Sequence, residues 1–302
     1  MKYNTRIAPS PTGDFHLGTA RTAYFNWLVA KSSGGKFQVR IDDTDVERNQ
    51  EAAVQPIFDC LDWLGLSVDS TFKQSGRILM YRNIAKLLVE KGFAFELDNG
   101  AILLKWNRDL FPTSWVDEIG GRIQITENDI KNFDNQVLLR GDDKHNLPTY
   151  HFASTVDDYV SMVNYVIRGS DHITNTARHV GIWTALSSVF DDKRELPKFA
   201  HLGLIFANGK KLSKRDGAAS MLTYKNAGVH PEAMLNFLLR LGWGPTVDDK
   251  STTLLPVDRA LELFLTGGKM KSSHANADFL KLDSFDRKYK GRDEHARRNA
   301  NK

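Results

Sequence analysis

The first ninety residues switch repeatedly between strand-like and helix-like patterns of apolar positions. Segment 3–8 has the short length of a strand, and 37–41 (FQVRI) alternates between apolar and polar residues as a strand does. Apolar residues at helical spacing cover about 17–32, 54–64 and 78–90. Strands that alternate with helices across short turns are typical of a parallel sheet wound by crossover helices. The pattern therefore predicts an α/β fold with helices on both faces of the sheet.

This alternation is interrupted between residues 95 and 136. It resumes with predicted strands at 137–140 and 165–168, a helix near 174–189 and a strand at 199–206. The interrupting segment carries eight Asp and Glu residues against four Lys and Arg residues, which distinguishes it from its surroundings. We interpret it as an insertion between two halves of one fold.

Four regions follow from these patterns. A later helix near 231–241 begins at a proline and ends before Gly242, and the remainder indicates a small helical appendage and a tail. The predicted regions are 1–94, the first half of the α/β domain; 95–136, the short insertion; 137–220, the second half with a lysine-rich loop; and 221–302, a helical region with a basic tail.

Composition indicates a globular protein without a membrane span. Of the 302 residues, 41% are hydrophobic and 26% are charged, values typical of such domains. No apolar run approaches 18 residues, and the first residues lack the apolar segment of a signal peptide. The single cysteine, Cys60, excludes an internal disulfide and a cysteine-rich zinc site. We expect a cytoplasmic protein.

Positive charge is concentrated near the end of the sequence. Residues 268–302 contain ten Lys and Arg against five Asp and Glu, whereas the rest of the chain sums to −1. A basic segment suits a polyanionic partner such as RNA. The alternative interpretation is a solvated and partly disordered terminus.

Two distant motifs together indicate phosphate chemistry. His16, Leu17, Gly18 and Thr19 begin the first predicted helix, whose N-terminal N–H groups and dipole favour anions. A histidine there can hydrogen-bond a phosphate oxygen, and Gly18 lets a base approach the backbone closely. About two hundred residues later, the loop at 211–215 (KLSKR) supplies ammonium groups that can stabilise developing phosphate charge.

Seven ordered motifs lie at 6–13 (RIAPSPTG), 16–21 (HLGTAR), 40–45 (RIDDTD), 148–151 (PTYH), 156–158 (VDD), 167–172 (IRGSDH) and 209–215 (GKKLSKR). Together they resemble the motifs of the glutamyl-tRNA synthetase family, which are class I aminoacyl-tRNA synthetases. The resemblance implies a Rossmann-type catalytic domain split by an insertion that binds the tRNA acceptor stem. It also implies ATP-dependent activation of glutamate to glutamyl-adenylate and transfer to the tRNA 3′ end.

The resemblance also implies roles for individual residues. The implied catalytic residues are His16, Lys211 and Lys214, and the ATP site adds Gly18 and Ser213 to these. The implied amino-acid site consists of Arg6, Ser10, Asp42, Tyr150 and Arg168. Arg6 and Arg168 each end a predicted strand and suit the substrate's side-chain carboxylate. We expect Mg²⁺ with the nucleotide, held by its phosphates, no zinc site and a monomer.

Three departures from the family leave alternatives open. Asp42 stands where the glutamyl family usually has glutamate, and aspartate is the residue that the related glutaminyl enzymes have there. Selectivity between glutamate and glutamine as the substrate is therefore open. The insertion is short and acidic. The sequence ends soon after 277–283 (ADFLKLD), which resembles the approach to an anticodon-binding domain, so a short form lacking that domain is expected.

Two other functions therefore compete with a glutamate–tRNA ligase. One is an enzyme that forms glutamyl-adenylate but delivers glutamate to another acceptor, such as a modified tRNA base. The other is a non-catalytic module that binds tRNA or nucleotide. The joint presence of His16, Gly18, Lys211 and Lys214 favours catalysis, because a binding module needs no charge stabilisers on both sides of a phosphate site.

Overall fold

The structure is a computed structural model that describes residues 1–12, 14–45, 49–141, 146–207, 209–211, 220–245 and 254–300. The helices are α1 Leu17–Ser33, α2 Val54–Trp63, α3 Ile78–Glu90, α4 Glu127–Phe133, α5 Tyr150–Val160, α6 Ile173–Phe190, α7 Met221–Asn226, α8 Pro231–Arg240, α9 Val257–Leu263 and α10 Phe279–Ala300. The strands are β1 Thr5–Ile7, β2 Phe37–Ile41, β3 Ser70–Lys73, β4 Ala94–Glu96, β5 Ile102–Leu104, β6 Ser114–Asp117, β7 Gly121–Gln124, β8 Val137–Leu139, β9 Tyr165–Gly169, β10 Lys198–Leu202, β11 Ile205–Ala207, β12 Lys210–Lys211, β13 Trp243–Pro245, β14 Gly268–Met270 and β15 Ala275–Asn276.

The predicted α/β fold is confirmed. Strands β1, β2 and β3 form a parallel sheet in the order β1-β2-β3. A second sheet has the order β7-β6-β10-β9, in which β10 runs parallel to both β9 and β6. Backbone N–H groups of Asn164 and Tyr165 donate to the carbonyl of Asn4, which brings β9 alongside β1. The parallel strands of both sheets therefore continue across one layer.

Helix α1 is buried over most of its length against this layer. It begins at His16, whose ring caps the helix, and ends at Gly34, which adopts a left-handed φ of 70°. The side chain of Asn26 donates to the carbonyl of Ile167 in β9, and Thr5 Oγ1 in β1 donates to the carbonyl of Asn26. These buried polar contacts fix α1 across the junction of the two sheets, so its N-terminus has a defined place at the sheet edge.

One strand prediction was wrong in its partners. The apolar run at 137–140 forms β8, but β8 pairs antiparallel with β5 in a separate sheet of order β4-β5-β8. A three-residue apolar run predicts a strand without specifying which neighbour it joins. The proposed boundaries at 94/95 and 136/137 remain predictions.

The predicted strand at 199–206 is divided into β10 and β11 at Gly203. A Cβ at Gly203 would lie 2.3 Å from the carbonyl oxygen of Ser273 and 2.5 Å from that of Ser272. The chain segment before β15 therefore packs directly on the Gly203 backbone, and only glycine allows this approach.

The helical region after the parallel layer packs through a buried asparagine. Asn236 in α8 accepts from the backbone N–H of Leu255 and donates to the Leu255 carbonyl and to Tyr289 Oη in α10. Its amide therefore links α8, the segment before α9 and α10. Among the described residues, no helix is long and apolar enough to cross a membrane.

Candidate active site

A cavity of about 480 Å³ opens where β1, β2 and β9 end. Ligands of open α/β sheets bind at the carboxyl ends of the strands, where the crossover loops leave a crevice. Seven of the ten predicted site residues line this cavity: Arg6, Ser10, His16, Gly18, Asp42, Tyr150 and Arg168. The structure therefore brings together residues that are up to 162 positions apart in the sequence.

The other three predicted residues belong to the lysine-rich loop. The backbone of Lys211 pairs with Phe206 at the end of a short hairpin between β11 and β12. The Lys211 side chain, Ser213 and Lys214 lie outside the described residues.

His16 caps the first helix. Its Nδ1 accepts hydrogen bonds from the backbone N–H groups of Gly18 at 3.1 Å and Thr19 at 3.3 Å. Because Nδ1 accepts, the neutral ring carries its proton on Nε2, which lies 3.2 Å from Thr19 Oγ1. The ring thus stands at the positive end of the α1 dipole, beside the cavity.

Gly18 leaves the space that the His16 ring occupies. A Cβ on Gly18 would lie 3.1 Å from His16 Cε1 and 3.2 Å from Nδ1. These distances are tighter than ordinary van der Waals contacts, so a side chain at Gly18 would require the His16 ring to shift by a few tenths of an ångström. The glycine requirement therefore has a local cause in addition to the predicted approach of a base.

Three neighbouring strands each place an arginine at their penultimate position: Arg40 in β2, Arg6 in β1 and Arg168 in β9. All three side chains are buried. Buried charges require partners, since an isolated ion in the protein interior is costly. The partners differ along this row and divide it into two parts.

The first part is a network of two arginines and two aspartates. Arg6 Nε donates to Asp158 Oδ1 at 3.0 Å, and Arg40 Nη1 donates to the same oxygen at 2.7 Å. Arg40 also holds Asp42 through both carboxylate oxygens, at 2.6 and 3.2 Å. Among the described residues, Asp158 is the only hydrogen-bond partner of the Arg6 guanidinium, so its terminal nitrogens have donors to spare.

The carboxyl groups of this network have opposite pKa shifts. Burial would raise the pKa of Asp158, but the Arg6 and Arg40 guanidiniums together lower it below its ordinary value. For Asp42, burial prevails and raises the pKa although Arg40 opposes it. Arg40 lies between the carboxylates, and they raise its pKa in spite of its burial.

A third buried aspartate, Asp157, lies next to Arg40 of this network. Asp157 accepts from Gln74 Nε2 and Tyr81 Oη, each at 2.8 Å, and from Arg77 Nη1 at 3.0 Å. It also lies 3.7 Å from Arg40 Nε. Helix α5 thus presents two adjacent aspartates to the arginine row, which fixes the position of Arg40.

The second part of the row is Arg168, whose partners are neutral. Its Nε donates to His201 Nε2 at 3.0 Å, Nη1 to His179 Nδ1 at 3.2 Å, and Nη2 to Thr176 Oγ1 at 2.7 Å. Within the described ranges, no carboxylate forms an ion pair with Arg168. Burial lowers the pKa of Arg168 to about 10, so it stays charged at neutral pH.

Histidines around Arg168 are kept neutral. Burial lowers the pKa of His151 and of His172 to about 4, and Arg168 adds to the effect at both. The pKa of His179 also lies well below its ordinary value, because of burial and then of Arg168. The guanidinium therefore has acceptors that do not neutralise its charge, which leaves a positive site for an anionic group.

Tyr150 and Ser10 lie at the periphery of the cavity. Tyr150 is the first residue of α5, is 39% exposed, and its hydroxyl lies 3.3 Å from His172 Nδ1. Ser10 is exposed in the turn after β1. Their exposure suits groups that contact a ligand rather than hold the fold.

Sequence reasoning missed five residues that hold the predicted ones. Arg40, Asp158, His179, His201 and Asp117 are buried and hydrogen-bonded to Arg6, Asp42 or Arg168, or to their partners. A signal existed for Arg40, because a charged residue within an otherwise buried strand must be paired. Asp158 also lies in the motif at 156–158, but the pairing of these residues with the site depends on tertiary contacts that no local pattern specifies.

The described residues contain no cluster of three or more His, Cys, Asp or Glu side chains that could hold a metal ion. The cavity lining includes four arginines, three aspartates and the capped N-terminus of α1. The excess of guanidinium groups suits an anionic ligand.

Comparisons with known proteins show the family to which the chain belongs. Residues 2–110 and 100–289 match the family described as tRNA synthetases class I (E and Q), catalytic domain. The chain belongs to this family of class I synthetases, those for glutamate and glutamine, and ATP use is a property of that class.

Among named relatives, the chain is similar to glutamate–tRNA ligases. It is 43% identical to glutamate–tRNA ligase 2 of Neorickettsia sennetsu over 265 residues, covering 87% of this chain and 60% of that protein. It is 38% identical to glutamate–tRNA ligase 1 of Wolbachia pipientis wMel over 338 residues, covering 94% and 68%. The chain thus spans about three fifths to two thirds of these relatives' lengths.

A solved structure shares the fold. The crystal structure of a glutamate tRNA ligase from Elizabethkingia meningosepticum, in complex with its amino acid, superposes with a TM-score of 0.80 at 26% identity. The match covers 96% of this chain and 70% of that one. The predicted Rossmann-type catalytic fold is confirmed by this likeness.

Proposed function

We propose that this chain activates glutamate with ATP and transfers the glutamyl group to the 3′ end of a tRNA. The observation that carries the proposal is the placement of two buried arginines, Arg6 and Arg168, in one cavity with the His16-capped N-terminus of α1. The two guanidinium groups suit a carboxylate, and the N-terminus of α1 suits phosphate.

The first step needs no acid or base from the protein. An oxygen of the substrate's α-carboxylate attacks the α-phosphorus of ATP, and the bond from that phosphorus to the bridging oxygen breaks, so pyrophosphate leaves with the electron pair. The protein's contribution is positioning and stabilisation of negative charge. In the second step a ribose hydroxyl of the tRNA end attacks the acyl carbon, loses its proton and displaces AMP.

Arg6 and Arg168 would bind the side-chain carboxylate of glutamate. Arg6 retains guanidinium donors beyond its bond to Asp158, and Arg168 has neutral partners among the described residues. A carboxylate would complete the ion pair that Arg168 lacks, whereas a carboxamide would leave the charge unpaired. This arrangement supports glutamate over glutamine.

Asp42 would bind the substrate's α-ammonium without releasing Arg40. Each carboxylate oxygen has two lone pairs, and the Arg40 donors use one on each oxygen. The shorter aspartate side chain is thus held rigidly from one side. Tyr150 would cover the bound amino acid, and Ser10 would supply a hydrogen bond from the opening turn.

His16 and Gly18 would bind the nucleotide at the start of α1. Lys211, Ser213 and Lys214 would complete the phosphate site, with Lys214 acting on the charge that develops at the α-phosphate. Mg²⁺ would arrive with ATP and be held by its phosphates, where it would neutralise their charge. The predicted acceptor-stem contacts, monomeric state and cytoplasmic location belong to the same proposal.

Glutamate-dependent exchange of labelled pyrophosphate into ATP tests the activation step. The protein is assayed with glutamate and with glutamine, each with and without total tRNA. Exchange that depends on glutamate and is at least tenfold weaker with glutamine is the expected result. Exchange with glutamine alone, or no exchange under any condition, would refute the proposal.

A further inference from the structure

His201 and Asp117 are buried side chains that lie beyond Arg168, on the two strands that follow β9 in the second sheet. Strand register places His201 of β10 directly beside Arg168 of β9. Asp117, the last residue of β6, lies on the far side of β10. Neither His201 nor Asp117 lines the cavity.

Arg168 donates a hydrogen bond to His201, and His201 donates one to Asp117. His201 Nε2 accepts from Arg168 Nε at 3.0 Å, so this nitrogen carries no proton. The neutral ring must then carry its proton on Nδ1, which lies 2.6 Å from Asp117 Oδ2. Burial lowers the pKa of His201 below its ordinary value, so the neutral ring is the form present at neutral pH.

Asp117 is itself firmly held. Its Oδ1 accepts from the backbone N–H groups of Ile119 at 3.0 Å and Gly120 at 2.7 Å, while Oδ2 is left for His201. The side chain is 2% exposed. The carboxylate thus has one oxygen committed to the β6–β7 turn and the other to the histidine.

We propose that Asp117 is a positioning residue that acts through His201 to orient the guanidinium of Arg168 toward the substrate's side-chain carboxylate. Asp117 selects the Nδ1–H tautomer of His201, and only that tautomer offers Arg168 Nε an acceptor. The inference rests on the proposed glutamate activation. It assigns a role in amino-acid affinity to a residue of the predicted insertion.

Asp117→Asn isolates this role because it is isosteric. The amide oxygen keeps both turn hydrogen bonds, but an NH₂ group replaces Oδ2 and faces His201 Nδ1. His201 must then accept at Nδ1 and carry its proton on Nε2, which opposes the Arg168 Nε donor. The same inversion by an asparagine disables serine-protease triads while preserving their geometry.

The test combines kinetics with nitrogen NMR of protein labelled with ¹⁵N-histidine and ¹⁵N-arginine. In Asp117→Asn we expect the His201 ring signals to change from the Nδ1–H to the Nε2–H pattern. We also expect the KM for glutamate to rise at least about tenfold, with the KM for ATP changed less than about twofold. Glu118→Gln is the matched control, since this neighbouring carboxylate pairs with Lys198 at the surface and should leave both KM values unchanged.

A second variant separates positioning from structural support. His201→Gln keeps an acceptor near Arg168 and has no tautomer to invert. Adding Asp117→Asn to His201→Gln should therefore leave the KM for glutamate unchanged within about twofold, so the two substitutions are strongly non-additive. A further tenfold rise in the double variant would overturn the proposal.

The readouts also separate this inference from the proposed function. An inverted tautomer with unchanged glutamate KM would overturn the positioning role while leaving glutamate activation intact. An unchanged tautomer in Asp117→Asn would overturn it as well. If the unsubstituted protein activates no amino acid, the proposed function fails, and the Arg168 Nε–H and His201 signals of Asp117→Asn still decide whether Asp117 orients Arg168.

Discussion

Replacing Arg168 with glutamine removes a buried positive charge while keeping a hydrogen-bond donor for His201. Arg168 is 6% exposed, and its partners among the described residues are neutral, so the glutamate carboxylate would be its counter-ion. Two unit charges about 4 Å apart attract by about 4 kcal/mol at an effective dielectric constant of about 20. Allowing for part of the desolvation cost, we expect a loss of about 3 kcal/mol, or about 150-fold in kcat/KM for glutamate.

Glutamine is the internal comparison in this experiment. A neutral hydrogen bond contributes about 0.5–1.5 kcal/mol, so Arg168→Gln should cost glutamine about tenfold or less. The assay is pyrophosphate exchange into ATP with each amino acid, in the presence of total tRNA, and thermal unfolding checks that the variant folds. Arg178→Gln, an arginine of α6 that does not line the cavity, should change the glutamate rate by less than about twofold. A loss below tenfold with glutamate, or equal losses with both amino acids, would refute the reasoning.

Three further substitutions test the supports of the site. Arg40→Met should lower the free energy of unfolding by about 3–5 kcal/mol, because buried Asp42 loses its arginine partner and Asp158 keeps only Arg6, whereas Arg108→Met at the surface should leave it unchanged in chemical denaturation. Gly18→Ala should raise the KM for ATP severalfold by pushing the His16 ring off its capping position by a few tenths of an ångström, whereas Gly76→Ala, whose Cβ would meet no atom within 4 Å, should leave it unchanged. His151→Gln should flatten the decline of the melting temperature between pH 6.5 and 4.

The sign of the pH effect follows from the histidine's folded pKa of about 4. The unfolded chain binds the proton near pH 6.5, before the folded protein does, so acid favours unfolding throughout this window. Removing His151 removes one such proton. A melting temperature that depends on pH in His151→Gln as it does in the unsubstituted protein would contradict this account. Normal stability of Arg40→Met, or a normal KM for ATP in Gly18→Ala, would contradict the corresponding predictions.

Much of the α/β pattern could be predicted because the spacing of apolar residues along the chain differs between helices and strands. The helix at 78–90 and the strand at 37–41 occur with the predicted bounds. In a long amphipathic helix the apolar spacing repeats over several turns, so the sequence alone is sufficient to predict the helix. The short strand at 137–140 was assigned to the wrong sheet because its partner β5 is chosen by tertiary contacts.

Several predicted cavity residues could be found from the sequence because they lie next to recognisable local features, such as the start of a helix or a turn. His16 and Gly18 begin a helix, and Arg6 precedes a turn rich in proline. The residues that hold Arg168 could not be found in this way. Asp117 and His201 are 84 positions apart, and only the register of three strands shows that they form a hydrogen bond.

The fate of labelled glutamate tests the central claim most directly. The protein is incubated with ATP, labelled glutamate and total tRNA, and the RNA is recovered before and after mild alkaline treatment. In parallel, the tRNA is oxidised with periodate beforehand, which destroys the ribose diol of the 3′ end. We predict label that is released by alkali and absent from oxidised tRNA. Label that persists on oxidised tRNA, or adenylate that never reaches RNA, would contradict transfer to the 3′ end.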